Sequence, residues 1–422
     1  MAMAILFGSM LVLILIGMPI GYAIGVSTVL TLITSSSIPL VMVAQLSISG
    51  VNSFPLMAIP FFILAGNLMT HGGIAKRLIR FFDVFVGRIT GGLGMVAIVT
   101  SMFYGAITGS AMATASAVGS FMIPEMKERK YDVPFSSSLI AAAGTIGIII
   151  PPSIPFVIYG VCTGTSIGDL FIAGVIPGVM MGVALMTACY FMAKKRGYRG
   201  SVATYTVKEA AVQFKSAFLA LMSPVIVLGG IYSGIFTPTE AAVISVVYAL
   251  IIGKFAYHEL NAKNTYKAFY DTMVINGITV FMVGLSSGFA AYLSISQIPI
   301  KIANGLLGIS DNPIIILLII NIFLLIVGCL IDNIPATIIL SPILLPVVVQ
   351  CGMSPITFGI VLTMNLAIGF CTPPYGPNLF VMAAVSHIRV EDMFKSVIPF
   401  IRVLRTVLLL ITYVPWFTMV FM

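Results

Sequence analysis

Two pairs of adjacent prolines and one acidic residue mark where chemistry can reside in this 422-residue chain. Pro151 and Pro152 follow Gly147 and Ile150 and precede Ser153 and Pro155. Pro373 and Pro374 follow Gly369 and Thr372 and precede Gly376, Pro377 and Asn378. Each pair interrupts a long apolar run. Proline lacks an N–H and disfavours helix in the residue before it, so two in succession should unwind a helix. Freed carbonyls are hard oxygen ligands for a small cation such as Na⁺. The half-helix that restarts presents its N-terminus to an anion. The alternative for either pair alone is a kink that binds nothing.

Two further clusters have the composition of tight reversals. Gly105, Thr108, Gly109, Ser110, Thr114 and Ser116 lie in the first, where small residues permit close packing and hydroxyls offer oxygen donors. Gly328, Asp332, Asn333, Pro335 and Thr337 lie in the second. Asp332 is the one acidic residue the spans place deep in the apolar phase. Burying a carboxylate there is expensive unless it is paired, which assigns it a cation or proton role ahead of a structural contact. The first cluster has helix packing as its alternative.

Other reactive side chains read as structural. Cys162, Cys189, Cys329, Cys351 and Cys371 are scattered and behave as small apolar residues, not as a disulfide framework or metal site. His71, His258 and His387 fall in polar loops. Glu240, after Thr237-Pro238-Thr239, has the pattern of a helix N-terminus. No phosphate-binding glycine loop, soluble nucleotide domain or metal-ligand cluster is legible, so a cofactor is not expected and an enzyme is disfavoured.

The positioning elements follow from composition. Hydrophobic residues make up 59% of the chain and charged residues 8%, against ~25% charged in soluble domains. Lipid is the solvent that fits. Met1 to Met18 has no basic residue ahead of its apolar run and reads as a first crossing helix, not a cleaved leader. Crossing helices are expected at about 2–18, 20–35, 55–70, 135–166, 170–193, 217–235, 239–257, 272–294, 355–386 and 398–421. The stretches at about 92–123 and 313–350 have small or polar middles and read as re-entrant hairpins. With that assignment, 18 of the 21 Lys and Arg residues fall on one side, in or beside 71–91, 124–134, 194–216, 258–271 and 387–397. Lys301 is alone on the other side, and Arg402 and Arg405 can snorkel toward the basic side. The positive-inside rule makes the basic side cytoplasmic and puts both termini in the periplasm, with Tyr413 and Trp416 as an interfacial anchor. The net charge of +8 is then a topology signal and implies no nucleic acid.

A shift of 222 residues superimposes Pro124 on Pro346, Pro151-Pro152 on Pro373-Pro374, Pro177 on Pro399, Gly66 on Gly288 and Ser110 on Asp332. Near the start the offset drifts to 219, pairing Pro19 with Pro238. Each half holds an odd number of crossings, so the halves should be inserted in opposite orientations, as in secondary transporters. The expected fold is an all-α polytopic membrane protein with an inverted-topology repeat, two re-entrant hairpins and two broken helices. Residues 1–193 form the first repeat, 194–216 a basic cytoplasmic linker read as a surface helix, and 217–422 the second repeat.

Ile59 to Met69, Gly105 to Ser116, Ile148 to Gly160, Thr237 to Ala242 and Asp332 to Pro335 together resemble the large M subunit, DctM-like, of tripartite ATP-independent periplasmic (TRAP) transporters. The resemblance runs over essentially the whole chain. It implies a bacterial inner-membrane permease of the elevator type that imports a small organic acid, in the sialic acid or C4-dicarboxylate class, with Na⁺ as coupling ion. It also implies two partners: a small four-helix Q membrane subunit, expected here as a separate polypeptide, and a soluble periplasmic substrate-binding P protein. On this picture one cation site uses Gly105, Gly109 and Ser110 with Gly147, Ile150 and Pro151. The other uses Asp332 and Asn333 with Thr372 and Pro374. Substrate is expected near Thr108, Ser153, Thr337 and Asn378. Ser110 stands where the second half has Asp332, so the two cation sites need not be equivalent. The nearest rival is a standalone Na⁺/organic-anion symporter that needs no binding protein. A channel, which would pass flux without coupling, fits the broken helices less well.

Overall fold

The computed structural model describes residues 2–35, 38–200, 206–308, 310, 312–373 and 376–422, and these form helices and their connections without any strand. Apolar runs become α1 (Ala2–Leu15), α2 (Ile20–Ser35), α3 (Leu40–Val51) and the largely buried α4 (Ala58–His71, entered through a 3₁₀ turn at Phe54–Met57), whose Pro60 falls in the first turn, where a missing N–H is tolerated. Next comes α5 (Ile74–Val86), amphipathic, with Leu78, Ile79, Phe81 and Phe82 buried and Lys76 and Arg80 on the other face. The basic stretch 71–91 is therefore largely helical, lying its apolar face against α6 (Gly92–Thr108).

Helix α6 and α7 (Ala111–Glu128) are joined by Gly109 and Ser110 alone and pack against each other. Then come α8 (Val133–Gly144), a 3₁₀ turn at Thr145–Ile148, α9 (Ile154–Thr163) and the 30-residue α10 (Ile167–Arg196). The expected span 135–166 is thus two helices parted at the Pro151-Pro152 pair. No single surface helix covers the linker. α10 runs through Arg196 and stops at Gly197, whose φ of +73° is the left-handed conformation that glycine adopts without strain. α11 (Val207–Tyr232) starts at Thr206, where the Thr206 hydroxyl and Glu209 carboxylate satisfy each other's backbone N–H groups.

Next come α12 (Pro238–Ile251, closed by a π turn at Ile252–Ala256) and α13 (Ala262–Ile295). At 34 residues α13 is ~51 Å long, well over the ~30 Å hydrocarbon layer. Short α14 (Ile298–Leu307) leads to α15 (Pro313–Gly328), α16 (Asn333–Gln350), α17 (Pro355–Gly369), α18 (Pro377–Ser386), α19 (Val390–Tyr413) and the single turn α20 (Trp416–Met419). The last helix lies eight residues earlier than the expected 398–421. It ends at Tyr413 because Pro415 forces Val414 out of the helical region (φ −123°, ψ 82°).

Six helices among the described residues are long and apolar enough to cross a membrane, α10, α11, α13 and α16 among them, and eight shorter apolar helices accompany them. The chain is a multi-pass membrane protein. Its inner body interlocks: α9 packs on α16, while α18 packs on α7 and α8. Tyr159 on α9 donates to the Pro355 carbonyl at the start of α17 (2.6 Å), and the Asn378 amide on α18 donates to the Ala141 carbonyl on α8 (2.9 Å). Each broken helix is therefore fastened to the opposite half of the chain.

Candidate functional site

A cavity of about 230 Å³ lies between the two reversals. The first contributes Thr108, Gly109 and Ser110, the second Asp332 and Asn333, with Ile148, Ile154, Pro155 and Phe370 from the two breaks. The sequence-derived tips, 222 residues apart, thus share one chamber. Its remaining walls were not foreseen as site residues: Ile63, Gly66 and Asn67 from α4, and Ile275, Ile278, Thr279 and Met282 from α13. The signal for Asn67 was present, an amide inside an apolar run. It bridges these walls by donating to the Thr272 hydroxyl (2.9 Å).

Three helices begin at this chamber. Ala111 and Met112 open α7, Ile154 and Pro155 open α9, and Asn333 and Ile334 open α16. Their caps explain why the chain turns into helix there. The Ser110 hydroxyl accepts from the Ala113 N–H (3.4 Å), the Ser153 hydroxyl from the Phe156 N–H (3.4 Å), and the Asp332 carboxylate from the Asn333 N–H (2.7 Å). Each N-terminus carries a partial positive charge of roughly +0.5. Among the described residues no Lys or Arg lines the chamber and Asp332 is its one formal charge, so these helix ends are its positive poles. The Asn333 side-chain amide nitrogen is buried and has no hydrogen-bond partner among the described residues, which leaves a donor at the chamber wall.

Behind the tips the main chains touch. A methyl group on Gly105 would lie 2.4 Å from the Gly147 Cα, and one on Gly109 (φ +61°) 2.8 Å from the Pro152 carbonyl oxygen. The second half repeats this: a methyl on Gly369 would lie 2.2 Å from the Gly328 carbonyl carbon. Tip and break therefore meet in both halves, and backbone carbonyls crowd there. Ser110 O accepts from the Thr114 hydroxyl (2.7 Å), which also pairs with the Thr108 hydroxyl (3.1 Å).

The other expected ligands lie away from the chamber. Ile150 packs on Gly178 of α10, and Pro151 is buried beside it. Ser153 donates to the Ile148 carbonyl (2.6 Å) while capping α9, Thr337 donates to the Asn333 side-chain oxygen (3.0 Å), and Thr372 donates to the Ile368 carbonyl (2.7 Å). Asn378 is wholly buried at the α8–α18 contact. Of the four expected substrate contacts only Thr108 lines the chamber; the other three hydroxyl or amide groups brace its frame. Pro374 lies outside the described residues.

One buried polar cluster was not foreseen from the sequence. Asn321, Asn365 and Thr412 form a buried cluster across α15, α17 and α19: the Asn365 amide donates to the Asn321 side-chain oxygen (2.8 Å), and the Asn321 amide to the Thr412 hydroxyl (3.3 Å). Single asparagines in apolar helices gave the only hint. Arg405 lies beside Ile326 and Cys329 at the C-terminal end of α15, where a cation complements the negative helix end.

Comparison with known proteins places this architecture. Residues 7–417 match the tripartite ATP-independent periplasmic transporter, DctM component. The isethionate TRAP transporter permease protein DctMQ of Oleidesulfovibrio alaskensis is 43% identical over 99% of this chain, which spans 66% of that relative's length. The sialic acid TRAP transporter large permease protein SiaM of Vibrio cholerae is 39% identical over 96% of this chain and 95% of its own. The C4-dicarboxylate TRAP transporter large permease protein DctM of Rhodobacter capsulatus is 35% identical over 98% and 97%. Among solved structures, the YdaH transporter of Alcanivorax borkumensis has a similar fold, with a TM-score of 0.64 at 13% identity, covering 88% of this chain and 87% of that one.

Proposed function

The chain belongs to the DctM family of tripartite ATP-independent periplasmic transporters, and on that premise we propose that it is the large permease subunit of a Na⁺-coupled importer of a small organic anion. The observation that carries this reading is the convergence of three helix N-termini and Asp332 on one chamber that has no basic side chain. The cargoes in the names of its relatives are isethionate, sialic acid and C4-dicarboxylates. All are organic anions that a set of N–H donors can hold.

Coupling follows from electrostatics. A carboxylate or sulfonate entering beside ionised Asp332 is repelled by ~4 kcal/mol at 4 Å and an effective dielectric of 20. A Na⁺ bound at the second tip, by Asp332 and Asn333 with carbonyls near Thr372, removes that penalty. A second Na⁺ among the carbonyls at Gly105–Ser110 and Gly147–Pro151 holds the first tip against its break. Anion and cation then each raise the other's affinity, and only ligand affinity that differs between conformations can bias their equilibrium. The inner body of hairpins and broken helices, α6–α9 and α15–α18, moves as the carrier against α1–α4 and α11–α13. The two halves are inverted repeats, the basic side is cytoplasmic, and both termini face the periplasm of an inner membrane. A small membrane subunit and a periplasmic binding protein complete the transporter.

The test is uptake of labelled isethionate, sialic acid and C4-dicarboxylates into proteoliposomes holding the chain and its small-subunit partner. The Na⁺ gradient and the binding protein are varied independently. Uptake requiring both is expected. Uptake with Na⁺ but without binding protein would instead identify a standalone symporter, and uptake indifferent to Na⁺ would overturn the coupling.

A further inference from the structure

The two arms of the second reversal do not close on each other. α15 packs on α17, and α16 on α9, α13 and α14, with little contact between the pair. A groove of about 540 Å³ runs between them, more than twice the chamber's volume. α1 and α14 complete it through Phe7, Leu11 and Ile302. Its walls, which include Phe323, Ala336 and Leu340, present no polar surface. Water is excluded as the filling, because an internal water needs two to four polar partners. A void of this size is also several times the ~150 Å³ apolar cavity that stays dry in an engineered protein. Leu11 and Phe323 are half exposed on the outer surface, so the groove opens sideways toward lipid.

One charge accompanies it. Lys301 is exposed on α14, adjacent in sequence to Ile302 of the groove wall, and is the only Lys or Arg between Lys267 and Arg389. Helix α14 carries apolar residues on one side and this ammonium on the other, the pattern of a helix lying in the interface plane. An apolar slot open to the bilayer beside a solitary cation at the interface matches one molecule in both parts: acyl chain and phosphate headgroup.

We propose that a single anionic phospholipid of the bilayer inserts an acyl chain between α15 and α16 and sets its headgroup against Lys301, acting as a permanent wedge in the second reversal. This does not depend on the cargo or on Na⁺ coupling.

Native mass spectrometry of the full chain, purified in mild detergent with any membrane partner that copurifies, tests this directly. Samples are exchanged into phosphatidylglycerol or phosphatidylcholine and then stripped by successive detergent washes. One phospholipid per chain should survive, retained at least tenfold better for phosphatidylglycerol. Ala336→Phe, which fills the groove, should lose it. Leu11→Trp, at an exposed position on the α1 side and tolerable to the fold, should lose it as well. Lys301→Gln should keep the lipid but erase the headgroup preference. Equal retention by wild type, Ala336→Phe and Leu11→Trp would overturn the proposal, as would copurification of a polypeptide in place of the lipid.

Discussion

The two reversals face the same chamber with different chemistry. The first is a two-residue turn whose arms pack together, capped by a serine; the second is a four-residue turn whose arms part, capped by an aspartate. The neutral side can bind a cation only through carbonyls and hydroxyls, weakly and without a formal charge to satisfy. The charged side demands a counterion or a proton whenever it is dehydrated. Of the two tips, only the second carries a formal charge.

That asymmetry can be broken by experiment. Asp332→Asn keeps a cap oxygen but removes the charge. It should lower Na⁺-dependent initial uptake about a hundredfold, or ~2.8 kcal/mol at 1.4 kcal/mol per tenfold, whereas Ser110→Ala should cost less than tenfold. Equal losses in the same assay would abolish the distinction between the tips. What the halves share is the main-chain contact behind each tip, so Gly105→Val and Gly369→Val should both destabilise by at least the ~1–3 kcal/mol typical of overpacking. Thermal unfolding in detergent would measure this, with Gly229→Ala, where nothing lies within 4 Å, as an unshifted control. The asparagine cluster belongs to the second side alone. A double-mutant cycle of Asn321→Ala and Asn365→Ala should return a coupling of ~0.6 kcal/mol, the average for hydrogen bonds between membrane helices. Additivity would mean that the Asn321–Asn365 bond contributes nothing to holding α15 against α17. Smallest of all, Ser110→Ala should reduce unfolding stability by ~0.5 kcal/mol, the low end for a lost helix cap, since its bond to Ala113 is long at 3.4 Å. A loss above ~2 kcal/mol would give the first tip a structural weight that its geometry does not suggest.

Breakers were the legible part of this molecule. Pro151-Pro152 and Pro373-Pro374 announce unwound helix through covalent geometry, and Gly109 and Asp332 announce turns, so the tips and breaks fall where the sequence puts them. Legibility ended where apolar residues meet apolar residues. Nothing in Leu40–Val51 or Ile298–Leu307 tells helix from connection. Nothing in the run at 313–350 says that its arms part, since Phe323 is equally apolar whether it faces α16, α1 or lipid. Three of the four expected substrate contacts lie off the chamber for a related reason. Ser153, Thr337 and Asn378 are polar and lie near the tips and breaks, but each donates to a carbonyl or amide oxygen of the frame, and the Asn378 side-chain oxygen is left without a partner among the described residues. A buried polar side chain in a membrane protein is as often a brace as a ligand, and composition does not distinguish the two.

The contact of glycine with glycine behind each tip carries a mechanical consequence. Side chains at a joint let neighbours slide by hopping between rotamers, which makes such joints soft and lossy. Gly105 against Gly147, and Gly328 against Gly369, have no rotamers, and their backbones leave no room for even a methyl group between them. Such a joint transmits displacement without slack: push α6 by an ångström and the unwound strand at 149–153 must travel with it. Tip and break thus behave as one stiff part, and any give in the machine has to be sought elsewhere, where the arms of the second reversal stand apart.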